Sequence, residues 1–399
     1  MRRKLLVSLF VAVLFVVCLG VVAQAGETTG VTDKEILIGS LGPMTGPASN
    51  LGPMVDLAAK LAIKQANDAG GVHGRTIKYI MGDTVCGSSQ GLAVVKKMIS
   101  SDGVFAFHGL VCSHVGMAIR PTLIKEEVPI IITIAQGPKI VTPISKYIYR
   151  TIPPTNITGA LMGKFMKVYF KDKTFTKVAI IHTQEEYGES GKEGLVDQLK
   201  KYGVEPLAIE KHKIGDTDYS AQLLKIKGLN PEVLFIQSYV KDMAIILKQA
   251  HELGLDCIMI GYMGADFSII PALAGKEALN KFYGPTTLLD AIRGPKIKSF
   301  IDMYEAAYPE YMKNPNNPAS GDVGSYVTMN VLIEALKRAG KDLTRSKYIA
   351  ARESIDNYVT PWLPPISFSP TKHEGIIEET FLRYVDGKAE AIDLKVQMD

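Results

Sequence analysis

The stretch Val104-Phe105-Ala106-Phe107-His108-Gly109-Leu110-Val111-Cys112-Ser113-His114 decides the fold. Its first five residues are apolar and aromatic, the composition of a buried strand. From Val115 to Lys125, the apolar residues Val115, Ala118, Ile119 and Leu123 share one helical face. A strand therefore ends, the chain turns through small residues, and a helix begins with Ser113 at its N-cap position. In an open α/β sheet, ligands sit outside the carboxyl ends of the strands. The unpaired N–H groups and positive dipole end of such a helix favour an anion. The functional reading of Ser113 is a seat for a carboxylate; the plainer reading is an ordinary capped helix.

The same alternation extends outward on both sides. Strand 36–39, a glycine- and proline-rich loop at 42–52, and helix 54–68 ending at Gly70-Gly71 come first. Strand 76–81, the Cys86 loop, a helix at about 89–100 and strand 130–134 complete the first series. Pro153-Pro154 marks an expected crossing, after which helices 157–170, 190–202, 219–227 and 241–253 alternate with strands 177–182, 206–211, 233–237 and 257–260. Phe282-Tyr283-Gly284 is expected to return the chain to the first unit, which helices 296–308, 323–339 and 345–354 complete. Pro361, Pro364 and Pro365 mark a third crossing, with strands 366–368 and 380–384 and the turn Asp386-Gly387 beyond it. Such alternation specifies parallel sheets covered by helices on both faces. The expected class is α/β, with two doubly wound lobes joined by a three-strand hinge. Lobe 1 is expected to hold 26–152 and 285–360, and lobe 2 to hold 153–284 and 361–399. Three crossings make a hinge, and a hinge makes a cleft that can close.

Residues 1–25 read as a secretory signal. Arg2, Arg3 and Lys4 precede an apolar run from Leu5 to Val17, and Ala23-Gln24-Ala25 has the small-x-small pattern of a cleavage site. Cleavage after Ala25 would leave 374 of the 399 residues, enough for two domains. Losing Arg2, Arg3 and Lys4 takes the formal charge from +4 to +1. A nearly neutral chain lacks the basic footprint of a nucleic-acid binder. In an oxidising compartment, the three remaining cysteines should yield a pair. Cys86 and Cys112 each follow a strand end on one rim of one sheet, so they are expected to be bonded. Cys257 reads as a buried thiol.

Signatures of catalysis are wanting. Gly87-Ser88-Ser89-Gln90-Gly91 matches G-x-S-x-G, but not on an immediate strand-to-helix turn, and no acid-then-histidine pairing follows. There is no phosphate-binding or dinucleotide glycine motif after a strand, and His251-Glu252 lacks the second histidine of a zinc helix. No enzyme, cofactor or metal is expected. Tyrosines instead gather at strand ends: Tyr187 after His182, Tyr239 after Gln237, and Tyr262 with Met263 after Ile260. With both sheets facing one cleft, these residues would lie opposite Ser113.

Two stretches resemble the leucine/isoleucine/valine type of periplasmic binding protein, the extracytoplasmic receptors of ABC importers. They are Ile36-Leu37-Ile38-Gly39-Ser40-Leu41-Gly42-Pro43-Met44-Thr45-Gly46-Pro47-Ala48 and Ala66-Asn67-Asp68-Ala69-Gly70-Gly71-Val72-His73-Gly74. Tyr187-Gly188 and Leu247-Lys248-Gln249-Ala250 fit as well, and the family carries a disulfide where Cys86 and Cys112 stand. The resemblance implies an inner-membrane ABC permease as partner, with a membrane-coupled ligand sensor as the alternative. It also implies that Ser113, Ala135 and Gln136 hold a ligand carboxylate, that Tyr187 and Tyr239 close over the ligand, and that Leu51 forms a wall. Met263 departs from the pattern, because amino-acid receptors place an acid there to pair the ligand's ammonium. A buried ammonium without a partner costs several kcal/mol. An α-amino acid would therefore need another acid, Asp266 or Asp322; otherwise the ligand is a hydrophobic or aromatic acid.

Overall fold

In the computed structural model, the described residues are 26–262, 270–314 and 317–396. The expected signal segment, Met263 and Asp266 lie outside them. Two sheets organise the chain. The first has the order β2-β1-β3-β4-β5, all parallel, from β1 (Glu35–Gly42), β2 (Thr76–Asp83), β3 (Ala106–Gly109), β4 (Ile130–Ile132) and β5 (Ile148–Arg150). Every residue of β3, β4 and β5 is buried, the mark of strands covered on both faces. The covering helices include α1 (Gly52–Asp68), α2 (Ser88–Ser100) and α3 (Ser113–Lys125).

The second sheet has the order β12-β11-β10-β9-β8-β6-β7. Its parallel part comprises β6 (Val178–Thr183), β7 (Ala208–His212), β8 (Val233–Gln237), β9 (Ile258–Tyr262) and β10 (Phe282–Thr286). A hairpin of β11 (Glu379–Val385) and β12 (Lys388–Val396) adds to it antiparallel through β10. Its turn, Asp386-Gly387, has φ of 50° and 75°, the positive values that a tight hairpin demands. Alternate residues of β8 feed two apolar clusters: Leu234 and Ile236 on one face, Val233 and Phe235 on the other. The interleaved helices are α4 (Thr155–Tyr169), α5 (Glu186–Lys201), α6 (Ser220–Gly228) and α7 (Val240–Glu252). Beyond β10 the chain returns to the first sheet through α8 (Lys298–Ala307), α9 (Ser320–Arg338) and α10 (Arg345–Glu353), with α9 packed on α1.

Two expectations about the crossings are corrected. Residues 282–286 are a full strand of the second sheet, paired with β9, so the return follows Thr286. The stretch 366–368 adds no strand to the second sheet. Leu363, Ile366, Phe368 and Ile376 are buried in the first core, so the boundary expected at 360 falls too early. The cause is the edge of β5. Tyr149 there stacks on His373 at 3.7 Å and meets Phe368 edge-on at 5.4 Å, while Arg150 bridges to Glu374. The prolines interrupt pairing, but the apolar residues among them cover an otherwise open edge.

Cys86 and Cys112 are bonded, with a Cα–Cα distance of 5.6 Å, and Cys257 is a buried free thiol. Among the described residues, no helix is long and apolar enough to cross a membrane. The disulfide closes a loop of 26-residue separation. By the chain-entropy relation its loss costs about 3–4 kcal/mol. The double variant Cys86→Ser/Cys112→Ser should lose that much in urea unfolding; an unchanged midpoint would show that the bond does not constrain the unfolded chain.

Candidate functional site: the cleft between the sheets

Ser113 is the first residue of α3, one place past the expected N-cap position, which Cys112 takes. It is buried, and its Oγ accepts the N–H groups of Gln136 at 3.2 Å and Gly137 at 3.0 Å. The hydroxyl thereby ties the end of β3 to the loop after β4 and keeps its own proton for another acceptor. The same loop is gripped by Arg150, which donates to the carbonyls of Ala135 at 3.4 Å and Gly137 at 3.0 Å and pairs with Glu374 at 3.3 Å. Burial pushes the Arg150 guanidinium down to about 10, so it remains charged near neutrality. Gln136 donates to the Pro153 carbonyl at 2.9 Å and also across to the Tyr262 hydroxyl.

The opposite wall is aromatic. Tyr187 sits in the first turn of α5, whose N-cap residue Glu185 accepts the N–H of Tyr187 at 2.9 Å and of Gly188 at 3.1 Å. The Tyr187 hydroxyl donates to the Tyr262 and Ser238 carbonyls, 3.2 and 3.4 Å away. Its ring lies 4.9 Å from Tyr239 and 6.0 Å from Tyr262. Tyr239 is the N-cap residue of α7; its buried hydroxyl faces the Ser113 N–H without making a hydrogen bond of good geometry. Desolvation raises all three phenols well above their ordinary pKa, so they act as neutral donors. Leu51 is buried and, with Ala48, forms one side of a small cavity against Tyr239.

The structure thus brings Ser113, Ala135, Gln136, Tyr187, Tyr239 and Leu51 to one cleft, while Met263 is not among the described residues. The Asp322 carboxylate is engaged by neighbours of its own. It caps its own helix: it accepts the Ala319 N–H at 2.7 Å and the hydroxyls of Tyr304 and Tyr311 at 2.8 and 3.4 Å. Three donors engage it, and burial still pushes it up to about 6.

Sequence reasoning missed the groups that join the lobes. His114 donates from Nε2 to the Cys86 carbonyl at 2.8 Å, and its Nδ1 lies 3.5 Å from the Glu185 carboxylate of the other lobe. Glu185 is the largest cause of a raised His114 pKa. Lys139 pairs with Glu186 at 3.1 Å. Gly137 permits this approach: a Cβ there would lie 2.7 Å from Glu186 Cγ and 3.0 Å from Ser113 Cβ. Glu379, at the start of β11, is buried beside Tyr262 and Thr158, and desolvation holds it up at about 8. No periodicity marks such residues; their pairing requires the two sets of loops to be placed face to face.

Two sheets with strand ends facing across a closed cleft, joined by three crossings, define a two-lobed binding protein. The chain matches a family described as periplasmic binding protein over residues 35–389 and belongs to it, as a member of the leucine/isoleucine/valine type of ABC-importer receptors. It is 32% identical over 311 residues to the leucine-, isoleucine-, valine-, threonine- and alanine-binding protein of Pseudomonas aeruginosa, covering 77% of this chain and 79% of that one. Solved structures share the fold. A fatty acid ABC transporter substrate-binding protein from Thermomonospora curvata aligns with a TM-score of 0.83 at 20% identity, over 94% of this chain and 95% of its own. A solute-binding protein of an ABC transporter from Rhodopseudomonas palustris, in complex with 3,4-dihydroxybenzoic acid, aligns at 0.79 and 23%, over 92% and 99%.

Gly137→Ala should wedge the lobes apart, since its φ of −53° suits alanine but the methyl group meets Glu186. Scattering should show a more open molecule, with ligand affinity down about tenfold, the equivalent of about 1.4 kcal/mol; an unchanged profile and affinity would refute the wedge.

His114 is raised by a carboxylate that only closure brings near, so protonation favours the closed form. Affinity should be greatest below the ordinary histidine value of about 6.5 and decline as pH rises through the raised value, by less than about tenfold in all. Titrating Kd between pH 5.5 and 8.5 checks this, and His114→Gln should flatten the His114-dependent part.

Proposed function

We propose that this chain is an exported receptor, cleaved after Ala25, that traps a small carboxylate between its lobes and hands it to an ABC permease. The observation that carries the reading is the convergence at one point. The α3 N-terminus, which begins with Ser113, faces the Tyr239 hydroxyl of the other lobe, and the Gln136 amide from the adjoining loop reaches the neighbouring Tyr262 hydroxyl. A carboxylate there gains charge-assisted hydrogen bonds from both walls and so favours closure. The lobes rotate about the crossings near 151–154, 286–288 and 376–379.

Leu51 and the tyrosines suit an apolar or aromatic body, and each buried methylene adds about 0.8 kcal/mol. The ligands named for the relatives, amino acids for one relative in sequence and a fatty acid and 3,4-dihydroxybenzoic acid for two solved structures, are compatible with one carboxylate seat serving different bodies. Met263 in place of the customary acid, and the engagement of Asp322 in its own cap, leave an α-ammonium without an evident partner. The proposed ligand is therefore a hydrophobic or aromatic acid, with leucine weak.

Calorimetry with a panel of aromatic and aliphatic acids and the branched-chain amino acids tests the proposal. At least one non-amino acid should bind more tightly than leucine, and Ser113→Ala should weaken it 10- to 100-fold, as expected for a hydrogen bond to a charged group worth about 1.5–3 kcal/mol. Micromolar leucine binding that survives Asp266→Asn and Asp322→Asn would overturn the ligand assignment. Binding indifferent to Ser113→Ala would overturn the seat.

A further inference from the structure

The cavity beside Leu51 contains a group that the carboxylate seat leaves unused. Ala48 and Leu51 of the first lobe face Ile214, Gly215, Tyr239 and Asp242 of the second across it. Asp242 stands in the first turn of α7 and is 2% exposed. An acid at this position commonly folds back on the N-terminus of its own helix. Here Oδ1 instead accepts the N–H of Gly215 at 3.1 Å, and Oδ2 has no hydrogen-bond partner among the described atoms.

Neighbouring donors are already committed. His212 lies 2.9 Å through Nδ1 from the Lys213 carbonyl and 2.6 Å through Nε2 from the Ser238 hydroxyl. The Tyr219 hydroxyl lies against the Asp242 carboxylate but gives its proton to the Asp216 carbonyl at 2.8 Å. Asp216 adds like charge nearby, and Lys241 on the cavity rim is exposed. A carboxylate oxygen buried without a donor is costly, and desolvation accordingly raises the Asp242 pKa. Tyr239 links this place to the carboxylate seat. Its hydroxyl faces the Ser113 N–H, while its backbone opens the helix that carries Asp242.

We propose that Asp242 forms a second polar subsite of the cleft, which receives an ammonium or comparable cationic donor of the ligand, remote from the ligand's carboxylate. The inference rests on Ser113 as the carboxylate seat. It deepens that reading by naming the class of ligand: a small acid with an apolar middle and a positively charged far end. An α-amino acid carries both charges on one carbon; the inferred ligand carries them at opposite ends.

Matched pairs test this in the full mature protein by calorimetry: 5-aminopentanoate against hexanoate, and 4-(aminomethyl)benzoate against 4-ethylbenzoate. The amine should bind at least tenfold more tightly in one or both pairs. Asp242→Asn should erase that preference, read as the ratio of amine to alkyl-acid affinity in the same variant. Equal or better binding of the alkyl acids, or an amine preference that survives Asp242→Asn, overturns the subsite while leaving the seat intact. Failure of all four to bind overturns the seat and the subsite together. The paired comparison in the unsubstituted protein decides even should a variant not fold.

Discussion

The cleft depends on how one three-residue loop is held. In the loop Ala135-Gln136-Gly137, Ser113 accepts the N–H groups of Gln136 and Gly137 and Arg150 donates to the carbonyls of Ala135 and Gly137, while the Ala135 N–H goes to the Leu110 carbonyl and the Gln136 carbonyl accepts from Thr155, so the loop's polar groups are satisfied from opposite directions. Backbone groups buried without partners are expensive, and loops are ordinarily kept at the surface for that reason. Here a serine at a helix start and a fully buried arginine with its own counter-ion, Glu374, let a loop run through the interior. Gln136 is then delivered to the other lobe at a defined height, and the absence of a side chain at Gly137 allows α5 to approach.

The second lobe supplies the complementary half. Its three phenols are neutral, packed with their rings tilted by 31–33°, and anchored by Glu185 at the start of α5 and by the carbonyls of Ser238, just past β8, and Tyr262, at the end of β9. Charged contacts are confined to the lip, where His114 faces Glu185 and Lys139 faces Glu186. A pair with an exposed partner, such as Lys139–Glu186, adds little to stability; His114–Glu185 is half-buried, and both pairs form only when the lobes meet. Their effect falls on the balance between open and closed forms, not on the fold.

Much of this architecture was legible in the residues. Runs such as Val178–Thr183 and Val233–Gln237 are buried on both faces, so the continuous apolar stretches that open them, 178–181 and 233–236, identify parallel strands directly. The Ser113 turn was equally readable, because a strand end, small residues and an amphipathic helix follow one another without interruption. The boundary near 360 was misread because prolines say where pairing stops but not which core the intervening apolar residues join. Leu363 and Phe368 join the first. Asp322 was assigned to the cleft by resemblance, yet its three donors come from Ala319, Tyr304 and Tyr311, a local arrangement that resemblance does not report. Arg150, Asp242 and Glu379 went unnoticed for the opposite reason. Each derives its character from burial among distant neighbours, which no local pattern encodes.

The hairpin at residues 379–396 has a consequence for how the molecule is made. It completes the second sheet by pairing Thr380 with Thr286, across the whole excursion that builds the far side of the first lobe. Contacts between such distant positions form slowly, since the intervening chain must be ordered or looped out first. A chain emerging N-terminus first would carry an unsealed β10 edge until these residues arrive. Neither half could then mature on its own, and a truncation before 379 would leave an adhesive strand exposed to neighbouring molecules.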